Sequence, residues 1–382
     1  MKMRSKILGF SLVELSIVLV VIGIIGFISI KFLSSVGTQA LNQKFKNDLE
    51  RADLAIIGFI YANNRLPCPD ISGNGNEECA ATNKQGFLPV NTLGIESFVQ
   101  QKRGGLIRYG VYRSANATLA SDIDLAATAN RYEPLLPNSA TSNQTNGLDF
   151  CLALKNGSLA AANGSEVNIG ASSTNVAYAL ADSGAIDANN DGVLFDGTNG
   201  AGLKFEQPSL SQSNNYDDNV VAVGFNELSG RLNCARVLAE TNGAARASYA
   251  AYDMWQMATL YKEFRDFHVD YLDSMLRISR SQRDLALAAV AIGAVSAIIA
   301  AANVALDTTG ASAIGLALSI IAVADAAFAL VQALEGLDSA QSDYDDGLVV
   351  QTEATTSLTQ ALQFRDAKLA LVRSLDTRGL IR

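Results

Sequence analysis

The chain has 382 residues, enough for two or three domains, with 49% hydrophobic and 18% charged residues and a formal net charge of −9. An acidic chain lacks the basic face that nucleic acid requires, so no nucleic-acid partner is expected. The single histidine, His268, excludes a His-rich metal centre and leaves one residue to supply any Ser–His–Asp arrangement; with no nucleophile–base pair and no Gly-rich phosphate loop either, the chain does not read as an enzyme.

Residues 10–30 are apolar or small except for one charge, Glu14. Lys2, Arg4 and Lys6 precede this run and no acid does, so the positive-inside rule keeps that end in the cytoplasm and sends the rest across the membrane. An ordinary signal peptide carries its small-residue cleavage site after the apolar run. Here the site, between Gly9 and Phe10, comes before it. Cleavage there removes the leader charges, taking the net charge from −9 to about −12, and leaves the apolar helix attached. It also creates a new α-amino group on Phe10. A carboxylate within a spanning helix costs roughly 2.5–3.5 kcal/mol near its centre and less towards an end. Glu14 lies one helical turn from Phe10, where it can neutralise a buried amine of its own chain or of a neighbour.

Lys6-Ile7-Leu8-Gly9 followed by Phe10-Ser11-Leu12-Val13-Glu14-Leu15 resembles the processing motif of the type IV pilin and type II secretion pseudopilin family. The resemblance implies that prepilin peptidase cleaves after Gly9 and methylates the Phe10 amine. It also implies that Glu14 is the assembly glutamate, and that the partners are other pilin or pseudopilin subunits and the inner membrane.

From Ser34 the pattern turns amphipathic. Ala40, Leu41, Phe45, Leu49, Ala52, Leu54, Ala55 and Ile56 recur at helical spacing with charges between them, which predicts one long helix over residues 10–62. Gly23 and Gly26 are places where it can soften. The prolines of RLPCPD, residues 65–70, end it. LPCPD, a Gly/Asn/acidic loop, then GFLP with LG further on, and the run from Phe205 to Cys234 are similar to a subgroup of bacterial pilin-like proteins. Short apolar runs at 106–112, 175–181, 203–205 and 220–225 read as strands, with 86–95 extended and turn-rich. The Asn/Ser/Gly/Thr-rich spacers 114–130 and 137–147 read as loops. The expected body is α+β, a long N-terminal helix packed on an antiparallel β-sheet as in pilins.

Cys68, Cys79, Cys151 and Cys234 all follow the apolar run. An even count on the exported side predicts two disulfides. Of three possible pairings, Cys68 with Cys79 and Cys151 with Cys234 is the simplest. DANNDG, residues 187–192, places Asp187, Asn189 and Asp191 at alternate positions, the spacing of a Ca2+ loop. The closing Glu is replaced by Thr198, and Asp196 is the substitute ligand. YDD, residues 216–218, is a second acidic turn able to contribute oxygens, and DISGNGNEE, residues 70–78, a weaker third.

After about Gly243 the composition shifts towards Ala, and two helical runs flank DTTGAS, residues 307–312. In the first, apolar residues step 3-4 from Met254 through Met257, Tyr261, Phe264, His268, Tyr271, Met275 and Ile278, then every seventh residue through Leu285, Ile292, Ile299 and Leu306. The second keeps a track through Leu316, Ile320, Val323, Ala327, Leu330, Leu334 and Leu337. Sustained heptads predict an antiparallel coiled-coil hairpin over 241–382, with His268 on its seam, Arg283 near Glu335 and Arg280 near Asp338. The charge-free stretches 285–306 and 308–324 allow a second reading, in which the tip enters a bilayer; the unbroken heptads favour the coiled coil. No family resemblance attaches to 241–382.

These readings give a leader (1–9), a transmembrane and assembly helix (10–62), a β-rich pilin-like domain (63–240) and a helical hairpin (241–382). The expected role is a minor or tip subunit of a type IV pilus or pseudopilus, held in the inner membrane with its body in the periplasm before assembly. The alternative is an adhesin or membrane-active tip on a pilin chassis, with the hairpin as effector.

Overall fold

The computed structural model describes residues 12–96, 107–134, 145–306 and 311–380, and among their side chains all but those of residues 30–42, 119, 305, 306 and 311. It is mixed α and β. In chain order the elements are α1 (Leu12–Asn63), β1 (Gln85–Phe87), β2 (Arg108–Val111), β3 (Arg113–Ser114), β4 (Ile123–Asp124), α2 (Gly147–Leu159), β5 (Asn168–Ile169), β6 (Thr174–Asn175), β7 (Tyr178–Asp182), β8 (Lys204–Phe205), β9 (Asn219–Val223), α3 (Phe225–Arg231), α4 (Cys234–Leu306) and α5 (Ala311–Arg378). The chain divides into two compact units, one of Met1–Asn242 with Arg373–Arg382, the other of Gly243–Val372.

The first unit is built on an antiparallel sheet of order β1-β2-β7-β9. Helix α1 lies on it through Phe45, Leu49, Ala52, Ile56 and Ile60, all buried, one stripe at the 3-4 spacing of a helix face. Leu54, which the apolar pattern had included, points outward and is 69% exposed. The helix runs unbroken through Gly23 and Gly26. It ends at Asn64, whose φ of 55° and N–H bond to the Ile60 carbonyl form a left-handed cap just before Pro67.

Every residue of β7 is buried, because the strand is covered on both faces. Successive side chains alternate across a sheet, so Tyr178 and Leu180 join the α1 core while Ala179 and Ala181 meet a smaller one with Val167, Val176, Phe195 and Phe205. The small three-stranded sheet β6-β5-β8 supplies that second cover. Gly110 on β2 is required there: a Cβ would stand 2.8 Å from the Phe205 ring and 3.0 Å from Val167. Asp53 joins three elements, accepting from the Tyr178 hydroxyl on β7 and pairing with Arg231 of α3 at 2.7 Å. Burial and then the Asp53 charge push the Tyr178 hydroxyl far above its ordinary value.

Two features were not read from the sequence. Helix α2 carries a capping box, with the Asn146 side chain over the first turn and Asp149 returning to the Asn146 N–H. Asp149 also accepts from the N–H groups of Arg131 and Tyr132. The chain's last residues then return to this unit. Asn146 donates to Asp376 at 2.8 Å, and Leu380 is buried against Gly147, where a Cβ would stand 2.3 Å from Leu380 Cγ. Disulfides join Cys68 to Cys79 and Cys151 to Cys234, the second tying α2 to the start of α4.

The second unit consists of the remaining lengths of α4 and α5, packed antiparallel. Paired positions are Trp255 with Arg365, Asp266 with Gln351, Leu272 with Gly347, Arg280 with Gln341 and Gly293 with Val323. The period of the heptads is present, but on α4 the expected face is wrong. The residues turned towards α5 step 3-4 through Ala251, Trp255, Ala258, Lys262, Arg265, Val269, Leu272, Leu276, Ser279, Arg283, Ala286, Val290, Gly293, Ala297, Ala300 and Val304. The large track of Met257, Phe264, Tyr271, Ile278, Leu285, Ile292 and Ile299 faces outward and is exposed. His268 is half-buried between the seam and that outward track, stacked beside Phe264. On α5 the seam runs through Leu316, Val323, Leu330 and Leu337 as expected, while Ile320, Ala327 and Leu334 are exposed. Arg283 pairs with Asp284 at 2.6 Å, and Arg280 donates to Gln341, three residues beyond the Asp338 expected near it. Small seam residues let the backbones approach closely; a Cβ on Gly347 would stand 2.6 Å from Leu272 Cδ1.

Candidate functional site

Gly9 and Phe10, the processing residues, lie outside the described residues. Glu14 is in the first turn of α1 and exposed, where a carboxylate is favoured by the helix dipole. The large residues after it, from Leu15 to Ile28, are 45–64% exposed, and Leu12 is 85% exposed. One continuous helix therefore has a C-terminal half seated on the sheet and an N-terminal half whose large side chains face outward on every side.

Of the four residues expected to hold Ca2+, Asp187, Asn189 and Asp191 lie together in one turn, whereas Asp196 is grouped with Asp217 and Asp218. Asp187, Asn189 and Asp191 form a self-satisfied turn at the surface. Asp187 accepts from the N–H groups of Asp191 and Gly192, Asn189 donates to Asp191, and Asp191 accepts from the Val193 N–H. Asn/Asp turns close in this way without a metal.

Asp196 instead joins the second acidic turn. It is buried with Asp217 and Asp218, and one carboxylate oxygen from each lies within 4.8 Å of those of the other two. Asp196 accepts from the Asn189 and Asp217 N–H groups, and its own N–H donates to Asp218 at 3.0 Å. Asp217 Oδ2 accepts from Ala185 and Ile186, and Asp218 Oδ2 also accepts from the Asn199 amide at 2.9 Å. The other oxygens, Oδ1 of Asp217 and Oδ1 of Asp218, are buried and have no hydrogen-bond partner. Among the described residues only four buried side-chain polar atoms are orphaned, so two in one cluster mark it out.

The electrostatics agree with the geometry. Burial pushes the Asp218 carboxyl up to about 7; the Asn199 amide and the Asp196 N–H oppose the rise, and the neighbouring acids Asp196 and Asp217 add to it. Burial raises Asp217 as well, against its bonds from Ala185 and Ile186. Three carboxyls with two unsatisfied oxygens match the all-oxygen ligand set of a hard cation such as Ca2+. A groove of about 530 Å³, lined by Lys46, Glu50, Gln212, Tyr216 and Asp218 among others, touches the cluster at Asp218. The sequence had marked YDD but had not joined it to Asp196, because the 20 residues between them are mostly loop around the two-residue strand β8, and no periodicity reveals their path. Asn199, which bridges the cluster, carried no signal at all.

The weaker acidic stretch is closed. Asp70 accepts from the N–H groups of Gly73 and Gly75. Burial opposes ionisation of Glu77, but Arg65 and the Cys68 N–H outweigh it and hold the carboxyl below its usual value. Cys68 and Cys79 beside it are committed to their disulfide.

No protein-family model matches the chain, and neither does any curated protein.

Proposed function

We propose that this chain is a structural subunit of a type IV pilus or type II secretion pseudopilus, in a minor or tip position. Prepilin peptidase cleaves it after Gly9 and methylates Phe10. The inner membrane then holds it by its N-terminal helix with the body in the periplasm, and assembly buries that helix among other pilin or pseudopilin subunits. The observation that supports this reading is the division of α1: one 52-residue helix packs its second half on an antiparallel sheet and leaves Leu12–Ser29 apolar and uncovered by its own chain. That segment of about 27 Å is close to the thickness of a bilayer core. Glu14 is its one charge, and when assembly buries this surface the Phe10 amine of its own chain or of a neighbouring subunit neutralises the acid. In the same reading a Ca2+-class cation bound by Asp196, Asp217 and Asp218 fixes the loops before β8 and β9.

The test is Glu14→Leu in the full chain. Membrane insertion is expected to persist and incorporation into filaments to fail. Normal incorporation of the variant would remove the charge-pairing argument.

A further inference from the structure

The distal half of the second unit is built inside out for a soluble hairpin. Its seam is made largely of small residues, Ala286, Gly293, Ala297 and Ala300 on α4 facing Ser319, Val323 and Ala326 on α5. Its outer surface carries the large apolar side chains, among them Ile292, Ile298 (69% exposed), Ile314, Leu318 (62%), Ile321 and Phe328. Soluble coiled coils place large residues in the seam and charges outside. Helices packed in lipid do the opposite, because close backbone approach holds them together and the solvent is apolar. These outer residues do not form one stripe, as a groove-binding helix or a second copy would need. They surround the hairpin.

The charges mark the extent of this surface. On α4 none occurs from Leu285 to Leu306, a length of about 33 Å, close to that of a hydrocarbon core. The pairing of Gly293 with Val323 and Arg280 with Gln341 sets Asp284 level with residues 335–336 of α5. Glu335 is the first charge below the tip on that helix apart from Asp325. Charge therefore resumes at one level on both helices, with Arg280 and Arg283 just below it. Both helices contain stretches apolar and long enough to cross a membrane, and neither stretch is buried by protein.

We infer that the distal lengths of α4 and α5, residues 285–306 and 311–334, insert into a lipid bilayer as a second membrane element of this chain. The occupant of its outer surface is lipid acyl chain. Asp325 is the one acid within these two lengths. The inference stands apart from processing and filament assembly, since it uses residues of the second unit alone.

Every described cysteine is in a disulfide, so single introduced thiols can be labelled selectively. The full chain carrying Ile298→Cys, Leu318→Cys or, as a control below the charge boundary, Ser274→Cys is labelled with a polarity-sensitive fluorophore. It is then placed in phosphatidylethanolamine/phosphatidylglycerol vesicles. All three positions are exposed, so the seam is untouched. Probes at 298 and 318 are expected to lose most of their emission to brominated acyl chains and to resist aqueous iodide, with the reverse at 274. Insertion of α1 alone does not move this readout. Iodide quenching at 298 and 318 overturns the inference. So does shielding from both quenchers, which means that protein covers the hairpin.

Discussion

Replacing Asp218 by Asn isolates the buried acid cluster. In the folded chain Asp218 titrates near 7, against 3.8 for an ordinary aspartate. The folded state therefore keeps a proton between pH 4 and 7 that the unfolded chain has released. The state binding more protons is favoured as pH falls, so the charge on Asp218 adds no cost at pH 4, destabilises progressively as pH rises, and levels off above 7. About three pH units at ~1.4 kcal/mol each give a ceiling of about 4 kcal/mol. An unfolding transition of the first unit, some 250 residues, moves by roughly 2–4 °C per kcal/mol, so the variant is expected to melt higher than wild type by up to ~16 °C at pH 8 in chelator. Its melting temperature is also expected to change less between pH 5 and pH 8 than that of wild type, the remainder coming from Asp217, which burial also raises. Saturating calcium, at about 100 times Kd, is expected to stabilise wild type by about 2.7 kcal/mol and the variant far less. The assay is thermal melting of the detergent-solubilised chain by circular dichroism at both pH values, with chelator and with calcium. A wild-type transition indifferent to both pH and calcium would refute the reasoning.

Two further perturbations probe the frame that holds the site. Ile56→Ala removes a fully buried side chain from the face of α1 that lies on the sheet and should cost about 2–5 kcal/mol in denaturant unfolding, with α1 helicity retained. Replacing Cys151 and Cys234 by Ser opens an 83-residue separation and is expected to cost about 4–5 kcal/mol, against roughly 3 for Cys68 and Cys79, 11 apart; equal losses would contradict the loop-length argument.

The sequence carried the elements whose pattern is local. Phe45, Leu49, Ala52 and Ile56 step at helix spacing and are the residues that α1 buries. The strand read at 220–225 is β9 at Asn219–Val223, cut short because Phe225 begins α3. Helix α2 escaped notice because it lies within Asn/Gly-rich sequence and contains Gly157; its one signal was Asn146 placed three residues before Asp149. The hairpin misled for a different reason. Helix α4 carries two stripes with the same 3-4 spacing, and hydrophobicity alone points to the larger, which faces outward. The contact choice follows side-chain volume: Gly293 and Gly347 admit a neighbouring helix where Ile292 and Ile299 hold one away. The acid cluster was legible only in fragments, because Asp196 meets Asp217 and Asp218 through loop geometry rather than through any repeat.

The most direct measurement for the proposed role is the mass and N-terminal sequence of the mature protein recovered from membranes. The account predicts a chain that begins at Phe10 and carries one methyl group on its α-amine. Recovery of peptides containing Met1 or Lys2 from the membrane-embedded protein would contradict it.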